Sequence, residues 1–179
     1  FVPETSPVRS LADLRGRRLA LEDPGSTTGA LVPRALLAAA GLPGPLLPSP
    51  GASVRPGQVG CVFAGSELNV FAWVRRGLVD AGATSDLVWR TRGSVPESLK
   101  RRLRVLHESP PLPRALELVG PALASERARR LRALLLGAER DPSAAAALEA
   151  YGRTLRFDAL PPGGLDLVER ALALQRAEP

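Results

Sequence analysis

Asp23-Pro24-Gly25-Ser26-Thr27-Thr28-Gly29 follows a short apolar segment, Arg18-Leu19-Ala20-Leu21, and precedes a helix-forming run from Leu31 to Ala40. Strand, tight turn, hydroxyl cluster and helix start, in that order, make a seat for an anion. The first amides of a helix lack intrahelical acceptors, so their N–H groups point outward. The aligned peptide dipoles add partial positive charge at the same end. Ser26, Thr27 and Thr28 add three O–H donors, and Gly25 and Gly29 let a ligand come close to the backbone. The same residues also suit a simple helix cap, with Ser26 or Thr27 accepting from the first turn. Spacing alone leaves both readings open.

Working outward, the strand at Arg18–Glu22 leads through the seat into a helix from about Thr28 to Ala40. Pro33 falls in its first turn, where proline is tolerated, and Gly41 stops it. Leu42 to Gly57 holds prolines at 43, 45, 48, 50 and 56, which predicts an irregular crossing. Gln58 to Ala64 reads as a buried strand. Gly65-Ser66-Glu67 opens a second helix, Leu68 to Arg76, and Leu78 to Ala83 is a further short strand. This alternation predicts an α/β fold with right-handed crossovers and a mostly parallel sheet. Ligands of such sheets bind beyond the carboxyl ends of the strands, where both the Ser26 and Ser66 turns lie.

Downstream, Ser85–Trp89 and Pro96–Arg102 read as helices, Leu103–His107 as a strand, and Ala115–Val119 as extended. Three helices follow, at Ser125–Gly137, Pro142–Tyr151 and Gly164–Ala177. In the first of these, Arg127, Arg129, Arg130 and Arg132 form a solvated face opposite Leu131, Leu134 and Leu135.

Composition narrows the function classes. The 179 residues are 45% hydrophobic and 23% charged, as in a folded soluble domain. The formal charge is +6, but the arginines are scattered among acids with few aromatics between them, which argues against nucleic acid. Cys61 is the single cysteine and His107 the single histidine, so neither an internal disulfide nor a Cys/His metal site is expected. Cys61 sits in an apolar run and reads as a buried structural thiol. No apolar run reaches membrane-spanning length. The start at Phe1 without a methionine suggests a mature form or a fragment.

Enzymatic readings are weak. A P-loop needs a lysine that residues 23–29 lack. Gly65-Ser66 lacks the glycine frame of a nucleophile elbow, and no spacing ties His107 to it. Asp80 caps or braces the turn after its strand or, by analogy with carboxylates at strand ends, contacts ligand. Trp73 and Trp89 read as core residues, Trp89 with a cleft role as the alternative.

Ser10-Leu11-Ala12-Asp13-Leu14-Arg15-Gly16-Arg17-Arg18 followed by Asp23 to Gly29 resembles the phosphate/phosphite/phosphonate-binding subunits of bacterial ABC importers. Gly65-Ser66, Gly77 to Ala83, Glu108 to Pro113 and Tyr151 to Leu160 fit further blocks of that family. The resemblance implies a type II periplasmic-binding-protein fold with ligand held between two lobes. It implies a connecting segment at 1–7, a second lobe carrying the oxyanion seat at 8–107, and a return to the first lobe at 108–179. The opening part of that first lobe would then be missing. Ser26, Thr27 and Thr28 match the family's phosphonyl-binding hydroxyls, and Ser66 joins them as a donor.

Where the family often places a histidine, this chain has Glu67, which repels a fully charged phosphonate but welcomes an amine-bearing ligand. Arg114, in the crossing segment, implies an anionic group nearby. The expectation is therefore a monomeric, extracytoplasmic, periplasmic or membrane-anchored solute-binding protein without cofactor or catalysis. It would deliver phosphate, phosphite or an alkylphosphonate to an ABC permease. The alternatives are a sensory or orphan domain that reports an anion, or a remnant that binds none.

Overall fold

The computed structural model describes residues 1–42, 44–113 and 115–176. Three parallel strands, β2 (Arg18–Leu21), β3 (Gly60–Phe63) and β4 (Ala81–Gly82), form a sheet in the order β3-β2-β4. Arg18 pairs with Gly60, Leu21 with Phe63, and Leu19 with Ala81. A separate antiparallel pair joins β1 (Val2–Pro3) to β5 (Leu103–Arg104). The expected α/β class with a mostly parallel, helix-flanked sheet is what forms.

Side chains alternate across a strand, and here both faces are buried. Leu19, Leu21 and Cys61 enter one core with Val8, Leu14, Leu37 and Val59. Ala20 and Val62 enter the other, with Val70, Phe71 and Val74. The first core takes Leu37 of α1 (Val32–Ala39), and the second takes the buried face of α2 (Glu67–Arg75). The crossover from β2 through α1 thus covers one face, and that from β3 through α2 covers the other. The two connections leave the carboxyl ends of β2 and β3 toward opposite faces, the topological position at which ligands of such sheets bind.

The strands are shorter than the apolar runs imply. Leu78 is 41% exposed and stays outside β4, since Gly77 at φ 69° first turns the chain out of α2. The first helix also differs at its start, where Thr27–Leu31 forms a π-helical turn before the α-helix begins. The helices at Asp86–Arg90 (α3) and Glu97–Lys100 (α4) are single turns. Residues 115–119 form no strand.

The chain divides into two units, one comprising Phe1–Pro110 and the final segment from Asp166, the other Pro111–Leu165. The first holds the sheet, both cores and α7 (Asp166–Arg176), whose Ala171 packs with Leu31 and Ala35. β1 also belongs to it, with Val2 fully buried. The second contains α5 (Ser125–Gly137) and α6 (Ala145–Ala150), and none of its described residues is buried. Leu131 and Leu134, expected opposite a solvated arginine face, are 42% and 71% exposed. The unit's described residues form helices and 3-10 turns but no strand, and these leave the leucines uncovered.

Phe71 anchors the α2 core: it is fully buried and stacks on Phe1 at 4.5 Å and on Trp89 at 5.8 Å. Phe71→Ala removes that ring from both contacts and should cost about 3–5 kcal/mol. Urea denaturation checks it. A loss below about 1 kcal/mol would show that the aromatic cluster is dispensable.

Candidate functional site

The site begins at Glu22, the residue after β2. Its backbone N–H donates to the Gly29 carbonyl at 3.1 Å, and its carbonyl accepts from Gly65 N–H at 2.8 Å. One residue therefore joins the start of the first helix to the turn that opens the second. Its side chain does more, because Ser26 Oγ donates to Glu22 Oε2 at 2.7 Å and accepts from Gly29 N–H at 3.0 Å.

Pro33 explains why the Gly29 carbonyl is available. In a regular helix the amide of residue 33 would donate to it, but proline has no N–H and its ring crowds that carbonyl. The helix responds by widening. Ser26 C=O accepts from both Ala30 and Leu31, at 3.1 and 3.0 Å, and Thr27 C=O accepts from Val32. Such π turns recur where a side chain or backbone group must be re-aimed. The Gly29 carbonyl then turns to Glu22. Gly29 itself must stay small, for a Cβ there would lie 2.7 Å from Glu22 Oε2 and 2.8 Å from Ser26 Oγ.

The outcome for the hydroxyl cluster is a division of labour. Ser26 caps the turn. Thr27 and Thr28 are exposed, and neither their amides nor their hydroxyls find a partner among the described residues. The capping reading holds at Ser26, whose O–H is committed to Glu22 and not offered as the expected ligand donor, while the donors of Thr27 and Thr28 stay free. Asp23 Oδ1 accepts from Gly25 N–H at 2.8 Å and fixes the preceding turn.

The second turn is built alike. Gly65 takes φ 79°, and Ser66 Oγ accepts from Asn69 N–H at 3.2 Å, so its hydroxyl acts as a cap. Asn69 Nδ2 donates to the Ala64 carbonyl at 2.8 Å, which ties α2 back to β3. Glu67 stands at the first helical position. Burial, then the neighbouring Glu22 carboxylate, push its carboxyl above the usual range, and the Thr84 hydroxyl partly offsets this. Thr84 follows β4, and its Oγ1 is buried without a hydrogen bond of ordinary geometry, so its effect on Glu67 is one of proximity.

Ser26, Thr27, Thr28, Ser66 and Glu67 therefore gather around one edge of the sheet, joined by Glu22 and Thr84, which sequence reasoning missed. Glu22 had the look of a strand terminus, and Thr84 of a loop residue. Their position beside the two turns follows only from the strand order. Asp80 is not brought there. It precedes β4 at the opposite edge, where its carboxylate accepts from Arg18 N–H at 2.9 Å and pairs with Arg17 Nη1 at 3.3 Å. Arg114 lies outside the described residues. Trp89 stacks on Phe71 and lies tilted against Phe1 at the core, and His107 is exposed. Cys61 is fully buried, and burial pushes its thiol up to about 11, which suits packing and not nucleophilic chemistry. Among the described residues no group of three potential metal ligands occurs.

The edge offers donors from Thr27 and Thr28 next to two carboxylates. That arrangement suits an oxyanion that arrives protonated or carries a cationic group of its own.

XAC2383 from Xanthomonas citri, in structures bound to ATP and to chloride ion, is 37% identical to this chain, with TM-scores of 0.81 and 0.80. Each match covers 98% of this chain and 64% or 63% of the other. PhnD1 from Prochlorococcus marinus (MIT 9301), in complex with methylphosphonate, shares the fold at 18% identity and a TM-score of 0.55, over 98% of this chain and 65% of that one. The chain thus spans less than two thirds of the length of each of these proteins. No curated protein sequence matches it. The family described as "ABC transporter, phosphonate, periplasmic substrate-binding protein" matches residues 1–160, and this chain belongs to that family.

Proposed function

We propose that this chain is the ligand-holding part of a solute-binding protein that captures a small oxyanion of the phosphate, phosphite or alkylphosphonate class for ABC-type import. The observation that carries the reading is the pair of free threonine amides and hydroxyls at the widened first turn of α1, held open by the Ser26 cap. Charge-assisted hydrogen bonds from such donors are roughly twice as strong as neutral ones. Helix-end polarity adds to them without any basic residue at the seat. On this reading residues 8–107 are the lobe that carries the seat, the chain from 108 returns to the other lobe, and α7 comes back to pack on α1 of the seat lobe. The protein acts by binding, and its partner is a membrane permease.

Glu67 and Glu22 tune the ligand's charge state. A carboxylate beside an oxyanion repels a dianion more than a monoanion. The carboxyl of Glu67 is raised, so it becomes neutral as pH falls through its shifted value, and the repulsion disappears in that direction. Anion affinity should therefore rise as pH is lowered. Glu67→Gln removes the same charge at all pH values. It should raise the affinity for methylphosphonate severalfold near neutral pH and flatten the difference between acid and neutral conditions. Calorimetric titrations of both proteins across pH 5–8 include the ligand's own titration equally, so only their difference matters. Parallel pH profiles would show that Glu67 faces away from the ligand.

Thr27→Val keeps the side chain's shape and removes its hydroxyl. Methylphosphonate affinity should fall at least tenfold, about 1.4 kcal/mol. Calorimetry with phosphate, phosphite and methylphosphonate tests the reading as a whole. Unchanged affinity in the variant, or no heat with any of the three, overturns the assignment of the seat.

A further inference from the structure

A second polar cavity, of about 540 Å³, lies at the opposite edge of the sheet, between the turn at Arg15–Arg18 and the loop Gly51–Val54. It is separated from the seat by the length of β2, about 10 Å for four residues. None of the seat residues lines it. Three arginines, Arg15, Arg17 and Arg18, face a single carboxylate there, Asp80.

The guanidinium groups are held in place. Arg17 Nε donates to the Asp13 carbonyl at 3.0 Å, and its Nη1 donates to Asp80 at 3.3 Å. Arg18 Nη1 donates to the Pro50 carbonyl at 2.7 Å, with Nε 3.7 Å from Asp80. Asp80 is itself fixed by the Arg18 amide. Each of these two side chains is about one third exposed, at 35% and 32%, so the charges are partly shielded yet reachable. In both, Nη2 has no partner among the described residues, and Arg15 makes only one long contact, 3.5 Å to the Ala12 carbonyl. Gly16 at φ 75° produces the turn that sets Arg15 and Arg17 on either side of the opening.

An arginine present only for solubility would point into water with its rotamers free. Here two are ordered against fixed carbonyls, and one carboxylate cannot neutralise all three. Planar guanidinium forks of this kind match phosphate and carboxylate oxygens. The remaining wall is Gly51, Ala52, Ser53 and Val54, with no ring on which a nucleobase would stack. The volume falls in the range of small-molecule sites.

We infer that the cavity formed by Arg15, Arg17, Arg18 and the Gly51–Val54 loop is a second binding site, for a small non-aromatic polyanion, independent of the oxyanion seat. A ligand with at least two anionic groups bridges the free Nη2 atoms of Arg17 and Arg18 and the guanidinium of Arg15. Ser53 supplies a hydroxyl.

Inorganic pyrophosphate is the probe. In a titration of the full 179-residue chain followed by amide NMR, resonances of Gly16, Arg17, Gly51 and Ala52 should shift saturably. Arg17→Gln should weaken that affinity at least fivefold, and Thr27→Val should leave it unchanged. Arg15→Gln touches only the long Ala12 contact, so it tests the site even if Arg17→Gln disturbs folding, and it too should weaken binding severalfold. Shifts confined to Thr27–Gly29 and Ser66, shifts that do not saturate, or an affinity that neither arginine variant alters would each overturn the second site.

Discussion

The backbone of Glu22 is the constraint on which the site depends. Its N–H and C=O are spent on Gly29 and Gly65, so two helix starts that are distant in sequence become neighbours in space. A sheet edge always leaves its last backbone groups in need of partners. Here those partners are the two turns themselves, and satisfying the edge positions the site. Because β2 is the central strand, the junction is flanked by β3 on one side and β4 on the other, which also brings in Thr84. Short side chains, Ser26, Ser66 and Asn69, reinforce the junction.

Charge is distributed unevenly along β2. The amino edge carries Arg17 and Arg18 around Asp80, and the carboxyl edge carries Glu22 and Glu67 beside unpaired amides. At the carboxyl edge the two glutamates would make a costly cluster if both remained charged and unsupported. The Ser26 hydroxyl supports Glu22, and the raised carboxyl of Glu67 takes up the remaining repulsion.

Much of this was legible in the sequence because it rests on local rules. The hydroxyl cluster after a short apolar strand, the Gly65-Ser66 turn and the burial of Cys61 are all set by neighbours within a few residues. The parallel sheet followed from the alternation of runs. What could not be read depends on strand order. Glu22 and Thr84 join the site because β4 crosses to the far side of β2, and Asp80 leaves it because it starts β4 and does not end it. The leucines of α5 show the converse limit. Periodicity says that Leu131 and Leu134 share a face, but only tertiary packing decides whether that face is covered, and within its unit it is not.

Pro33 shows how one residue links these levels. In the sequence it is a tolerated proline in a first turn. In the backbone it deletes a donor and forces the turn to widen, so that Ser26 C=O serves two amides. The orphaned Gly29 carbonyl is then taken by Glu22, which draws the helix start onto the strand end. A regular α-helical turn would bring a second, intrahelical donor to the Gly29 carbonyl that Glu22 uses here. The irregularity at the start of the helix is therefore part of how strand end and helix start are joined, and the capping serine is its visible local sign.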